Sequence, residues 1–394
     1  MRYSCLALSV LACSLLSAEE SSDLAYNTKA RAKAKANENC ETFFHQGEAN
    51  LPSTFQPTYN YPANVKMPDQ YGGFGTVSYL YWFAGQEGMD LATTSTFVPF
   101  TGNVLPNEFG KDTRVVFQDS GYSSGFKVGL GYNMNQYDDW VFRADYTWLR
   151  EHTSQTEEVD LLPPSGGFFI ITDPVLFLTS WFYQNSAVGQ PIAAQKLSSS
   201  WKMHLDLLDA TARRPFYQGK ALTMTPYAGL RAAWIRQSLR IAASTVLNVT
   251  PPTDTVVSHN SSNSWAIGPH GGIGANWLVG CGFRFIGNVN ASLLFTQYTH
   301  VKHSEDPITL GFPVEYGFKY YNCLRPMTEM DLGIGWMYYF NTQLALDLSA
   351  SYDFNYMWGQ NMLRTLNDMN IIGVNGASND LYLHGLRITA TLDF

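Results

Sequence analysis

His204 and Asp206 stand two positions apart, a spacing that puts both side chains on one face of a β-strand. A carboxylate beside an imidazole can activate water, so the pair raises the question of hydrolysis. His300 and His303 raise the question of metal binding, in a stretch that the sequence presents as an outer loop. Neither constellation is completed. No second pair of carboxylates converges on His204, which the pattern places away from any rim. No Cys or carboxylate set of structural-site spacing accompanies the two histidines. The sequence therefore predicts no enzyme, no metal and no cofactor. What it offers instead is charge alternating with apolar bulk. Lys127, Arg143, Asp145, Lys202, His204, Asp206, Arg284, Asp331, Asp347 and Arg387 each stand between apolar neighbours. If these charges face one way and the bulk faces the other, they line a polar interior and tune it by charge and size.

The elements that must position them are strands. From residue 73 onward the pattern has period two. In the clearest stretch, Trp140, Phe142, Ala144, Tyr146 and Trp148 alternate with Arg143, Asp145 and Thr147. Just before it, Phe126, Val128, Leu130 and Tyr132 alternate with Lys127, Gly129 and Gly131, and a turn cluster at 133–139 joins the two. Similar units carry Trp201 to Leu207, Phe283 to Phe295, Met330 to Tyr338 and Leu344 to Tyr352. Connections alternate in length along the chain. Short ones fall near 134–138, 213–219, 277–281 and 340–343, and long ones near 85–121, 151–197, 241–261, 299–324 and 358–379. Such sorting fits an antiparallel transmembrane β-barrel with tight periplasmic turns and long extracellular loops. About ten strands are expected, within a range of roughly 8–12. Tyr382, His384, Leu386, Ile388, Ala390, Leu392 and Phe394 form a last alternating strand, and Phe394 is expected to serve as the signal for barrel assembly.

Composition agrees with this fold. Charged residues make up only 15% of the chain and aromatics 14%, with 32 Gly and 23 Tyr. An outer face in lipid needs few charges and collects Trp and Tyr at its interfaces. The net charge of -8 speaks against a nucleic-acid partner. After the N-terminus no apolar run reaches the roughly 18 residues of a spanning helix, so a bilayer could be crossed only by a closed barrel. Residues 1–18 read as a signal peptide, with Arg2, an apolar stretch from Leu6 to Leu16, and Ser17-Ala18 before Glu19. A lipoprotein signal at Cys13 is the second reading. Residues 19–70 read as a periplasmic segment, partly helical or unstructured, with a basic Lys/Ala run and four prolines. Residues 71–394 make the barrel. Beyond the signal remain Cys40, Cys281 and Cys323. On the expected topology Cys40 and Cys281 share the periplasmic side, so a disulfide, if one forms inside the chain, joins those two.

Several stretches together resemble the Legionella-type major outer-membrane protein family, which is also found in chlamydia-related bacteria. They are Gly73 to Trp82, Gly125 to Tyr132, Asp139 to Leu149, Pro226 to Ile235, and Trp265 to Pro269 with the glycines that follow. The order of the motifs carries the resemblance more than any one of them. It implies a pore-forming role and supplies no catalytic residue. The basic Ala/Lys segment and the five cysteines have no place in that pattern.

The expectation is thus a porin-like protein of the outer membrane of a Gram-negative bacterium, passing small hydrophilic solutes or ions. Its partners would be outer-membrane lipid, the assembly machinery and a second copy of itself. The alternatives are a structural or adhesive surface barrel with a closed lumen and, further off, a barrel hydrolase. A closed lumen is a serious competitor, because about eight strands leave room only for side chains, whereas open porins have about 16. Of the long connections, the second, with its apolar stretch at 168–183, is the best candidate to fold inward.

Overall fold

A computed structural model describes residues 71–95, 114–134, 139–158, 176–179, 181–182, 192–219, 221–246, 255–280, 282–306, 314–340, 343–371 and 379–394. The signal, the segment 19–70, Cys40 and Cys281 lie outside the described residues, and the expected bridge lies there with them.

The strands, in chain order, begin with β1 (Gly73–Gln86), β2 (Asp90–Ser95), β3 (Val115–Phe117), β4 (Tyr122–Met134), β5 (Trp140–Glu158), β6 (Leu176–Thr179), β7 (Ile192–Arg213) and β8 (Tyr217–Gln218). They continue with β9 (Leu222–Val246), β10 (Thr255–Gly280), β11 (Phe283–Asp306), β12 (Glu315–Phe318), β13 (Tyr321–Tyr339), β14 (Ala345–Met357) and β15 (Leu381–Asp393). Ten of them make the wall, in the order β1, β4, β5, β7, β9, β10, β11, β13, β14, β15. Each pairs antiparallel with the next, and β15 returns to β1 from Phe74↔Asp393 to Gln86↔Leu381. The wall is a closed barrel with no free edge, the arrangement that satisfies every backbone group of a sheet in lipid. The other five strands are short. β2, β3 and β6 extend the sheet at the start of β7, β8 lies against the start of β9, and β12 against the end of β11.

Connections sort by end as the sequence predicts. The turns near 135–139, 214–221, 281–282 and 340–344 lie at the end that holds the start of β1 and the end of β15. Gly282, at φ 80°, occupies the tightest of them, where a side chain would strain the backbone. The long connections all lie at the opposite end. Three of them are shorter than the sequence suggests, because β5, β7, β9, β10 and β11 run on through stretches read as loop at 151–197, 241–261 and 299–324. Those stretches are rich in Ser, Thr, His and charge. A strand that meets water on its outer face is free to carry such residues.

Burial follows the period. On β11 Phe283, Phe285, Val289, Leu293 and Phe295 are exposed, whereas Asn290, Ser292 and Thr296 are buried. Exposed apolar side chains continue around the wall through Val128, Leu130, Leu230, Ile267, Leu332, Leu348 and Ile388. From Phe283 to Phe295 a strand of ordinary rise and about 40° tilt climbs roughly 30 Å, close to an apolar bilayer core. Val289→Arg, at the middle of this belt, is expected to destabilise the protein by about 2–4 kcal/mol in lipid vesicles, read by urea unfolding. A change smaller than about 0.5 kcal/mol would mean that Val289 faces water.

Candidate functional site

The interior has two layers. In the half nearer the short turns it is polar. Arg143 donates from Nε and Nη2 to both oxygens of Asp145, at 2.6 and 2.7 Å. Gly129, facing Asp145 across the β4–β5 pair, leaves room for that carboxylate, since a Cβ there would collide with it. Arg284 pairs with Asp347. Arg387 reaches Asp331 at 3.2 Å and Asp353 at 3.3 Å. Asp331 also accepts from Asn288 at 3.1 Å, and Asn288 accepts from the Tyr227 hydroxyl at 2.9 Å.

At the top of this layer Arg231 is 1% exposed. Its Nε and Nη2 donate to Asp209 at 2.6 and 2.8 Å. Its Nη1 and Nη2 donate to Glu329 at 2.5 and 3.1 Å. Asp209 is its register partner on β7, but Glu329 is on β13, beyond β10 and β11. The guanidinium therefore bridges across the lumen and holds two carboxylates in one fork-shaped contact. Asn290 adds a further donor to Glu329 at 3.0 Å. Lys127 completes the set, lining a cavity of about 20 Å³ beside Asp209, Glu329 and Asp353.

Above Arg231 the inner faces of β7 and β9 turn largely apolar, while β10 and β11 keep Ser258, Asn260, Ser262, Ser264 and His303 buried inside. Trp201, Met203, Leu205 and Leu207 point inward from β7, and Ile235, Leu239 and Ile241 from β9. They pack with Leu80, Trp82, Leu149, Leu294 and Met327 into one core. A second described cavity, about 10 Å³, lies within this packing near Ala233, Leu294 and Met357. At the outer mouth Phe177, Trp181 and Phe182, from the second long connection, join the same core. The helix α1 (Met362–Ile371) follows β14, with the Asn361 side chain accepting from the Arg364 N–H as an N-cap. Its Leu363 joins the core, and its Met362 and Leu366 pack with Tyr298 and Val301.

Of the charges expected on the interior, the structure places Lys127, Arg143, Asp145, Arg284, Asp331, Asp347 and Arg387 there. Lys202, His204 and Asp206 are a correction. They lie on the outer wall, with Lys202 and His204 exposed, while Trp201, Met203, Leu205 and Leu207 between them are buried. Period two was right and the polarity was reversed. This part of β7 stands above the belt, where its outer face meets water and its inner face packs in the apolar core. Asp209, Arg231, Glu329 and Asp353 escaped the sequence reading. Asp209 shares its parity with the apolar face of β7, and Arg231 falls in a stretch whose faces the sequence leaves undecided. The signal available for Arg231 was its parity, opposite to Leu230 and Trp234.

His300 and His303 part to opposite faces of β11. His303 is buried, hydrogen-bonded to Asn260 at 2.7 Å and Glu305 at 2.9 Å. His300 lies in register with outward-facing Asn263, after an irregularity that shifts the pairing. Among the described residues no group of three or more His, Cys, Asp or Glu could hold a metal. Cys323, expected in an outer loop, lies on β13, half-buried and unbridged, beside the Tyr298 cluster. Phe394 meets Gly73 at the seam, where its N–H donates to the Gly73 carbonyl at 2.9 Å.

A closed antiparallel barrel with an apolar belt outside and charge inside, and with its connections sorted by length, defines an outer-membrane β-barrel protein. The chain belongs to the Legionella pneumophila major outer membrane protein family, whose model matches residues 74–394. It is a protein of the Gram-negative outer membrane. Similar solved structures include the outer membrane protease OmpT from Escherichia coli, at 7% identity and TM-score 0.40, with 84% of this chain and 99% of that one covered. A Pseudomonas aeruginosa FadL homologue matches at 9% identity and TM-score 0.23, with 82% of this chain and 89% of that one covered. No curated protein matches.

Proposed function

We propose that this protein is a closed-lumen surface barrel, which anchors a water-exposed rim in the outer membrane and gives the monomer no open diffusion path. The observation that supports this most directly is the filled interior. Trp201, Leu205 and Leu239 are each at most 1% exposed. Below them Arg231 closes the lumen with two carboxylates. The two interior cavities among the described residues are small, about 20 and 10 Å³. The rim follows from strands that outrun the belt, since β11 continues to Asp306 beyond its last lipid-facing ring at Phe295. It offers a structural or adhesive surface, and no residue is assigned a catalytic task.

A porin-like role is the second reading. The charges that face the interior from Lys127 to Arg387 favour it, because a mixed-charge lining suits passage of small ions. Recordings in planar bilayers decide between the two. Purified wild-type protein is expected to give no discrete conductance steps. Regular steps would overturn the closed lumen and establish a pore.

A further inference from the structure

Above the belt, the strand register stacks side chains in rows across the outer faces of β5, β7, β9, β10 and β11. One row reads Trp148, Asp206, Trp234, Trp265 and Gln297. Two residues nearer the long connections, the next reads Arg150, His204, Arg236, Asn263 and His300. The next again reads His152, Lys202, Ser238, Ser261 and Lys302. A row with three tryptophans is thus followed directly by two rows that hold no acidic residue.

Not all of these cations are available. Arg150 is held by Asp206 at 2.9 and 3.0 Å, over the Trp148 ring at 4.8 Å. Lys302 pairs with Glu315 at 2.9 Å. Lys202, Arg236 and Arg240 are exposed and form no ion pair with a described residue. Their placement is specific. Lys202 is directly opposite Ser238, so Arg236 and Arg240 stand on its two diagonals. Diagonal neighbours across a strand pair are about 7–8 Å apart, within joint reach of long side chains. The three cations thus flank a small serine on one outer face, and a phosphate group has the oxygens to accept from all three. Arg236 stands one outward position above Trp234, which is 40% exposed, and Leu230 below it is 58% exposed.

We infer that this triad binds the phosphate of an outer-leaflet glycolipid, with the lipid's acyl chains lying down the Trp234 and Leu230 wall. Charge complementarity selects the anion. The row of tryptophans sets its height, because Trp collects where hydrocarbon meets headgroups. Continuity with the apolar belt selects a lipid over a free ion. The rest of the belt's upper border, around β1 and β15, has no comparable cluster: there the outer face ends in Tyr79, Tyr81 and Tyr382.

The test uses the full refolded chain in neutral detergent. Native mass spectrometry and titration would compare lipid A, which is a phosphorylated acylated disaccharide, with its dephosphorylated form and with inorganic phosphate. Lipid A is expected to bind, and the dephosphorylated form to bind far more weakly. The variant Lys202→Ala, Arg236→Ala, Arg240→Ala is expected to lose about 100-fold in lipid A affinity, and Arg240→Gln alone about fivefold. Lys319→Ala, an exposed cation on the β12–β13 connection and outside the triad, is expected to change nothing. Heat-modifiable gel mobility confirms that each variant is folded. Equal affinity of the triple variant, or equal binding of the dephosphorylated lipid, overturns the proposal. So does displacement of lipid A by equimolar inorganic phosphate, which would make this a free-anion site.

Discussion

Arg231→Ala is expected to cost about 3–5 kcal/mol of stability, read by urea unfolding of the protein in lipid vesicles. The guanidinium is 1% exposed and Asp209 4%. Removing the arginine strands the Asp209 and Glu329 carboxylates with no cation in bonding contact, and Asn290 alone cannot offset two buried charges. The magnitude comes from the uncompensated carboxylates more than from the lost attraction. Combining Arg231→Met with Asp209→Asn and Glu329→Gln removes all three charges of this bonded contact and is expected to recover most of the loss. The outcome also bears on function. A single variant within about 1 kcal/mol of wild type would mean that water reaches both carboxylates, and the proposed closure of the lumen at the level of this contact would fail.

The second large effect is expected from Trp201→Ala, at about 3–5 kcal/mol in the same assay. The ring is 1% exposed in the core above Arg231, and its loss leaves a void in that core beside Leu239, its register partner on β9. Trp201→Phe should cost much less, because the indole N–H has no hydrogen-bond partner among the described residues. Its sequence neighbour supplies the contrast. Lys202→Ala, on the exposed face of the same strand, should stay within about 0.5 kcal/mol of wild type. If the lysine proved the costlier of the two, β7 would have its interior and exterior exchanged.

Much of the architecture was legible because period two is a property of neighbouring residues. Phe126 to Tyr132 and Trp140 to Trp148 announce β4 and β5, and the turn cluster between them announces the hairpin. Seven of the ten charges named from alternation do face the interior, because in the belt an apolar solvent outside forces polar side chains in. The same rule misassigned Lys202, His204 and Asp206, and left Arg231 and Glu329 unpaired. Alternation says that two faces differ and leaves open which one meets which medium. On β9 the answer changes within a single strand: Leu230 and Trp234 face out below, and Arg236 and Arg240 face out above, with no break in pairing between them.

The barrel class, the sorting of short and long connections, and the two-faced alternation within the belt strands such as β4 and β5 were thus legible in the residues alone. The height of the lipid belt, the reversal of polarity above it and the filling of the lumen were not. They depend on where each strand stops sharing its outer face with hydrocarbon, and on which side chains from non-adjacent strands meet across the interior. Arg231 and Glu329 are 98 residues apart in the chain. Only closure of the β15–β1 seam, which curls β9 and β13 toward one another, brings them into contact.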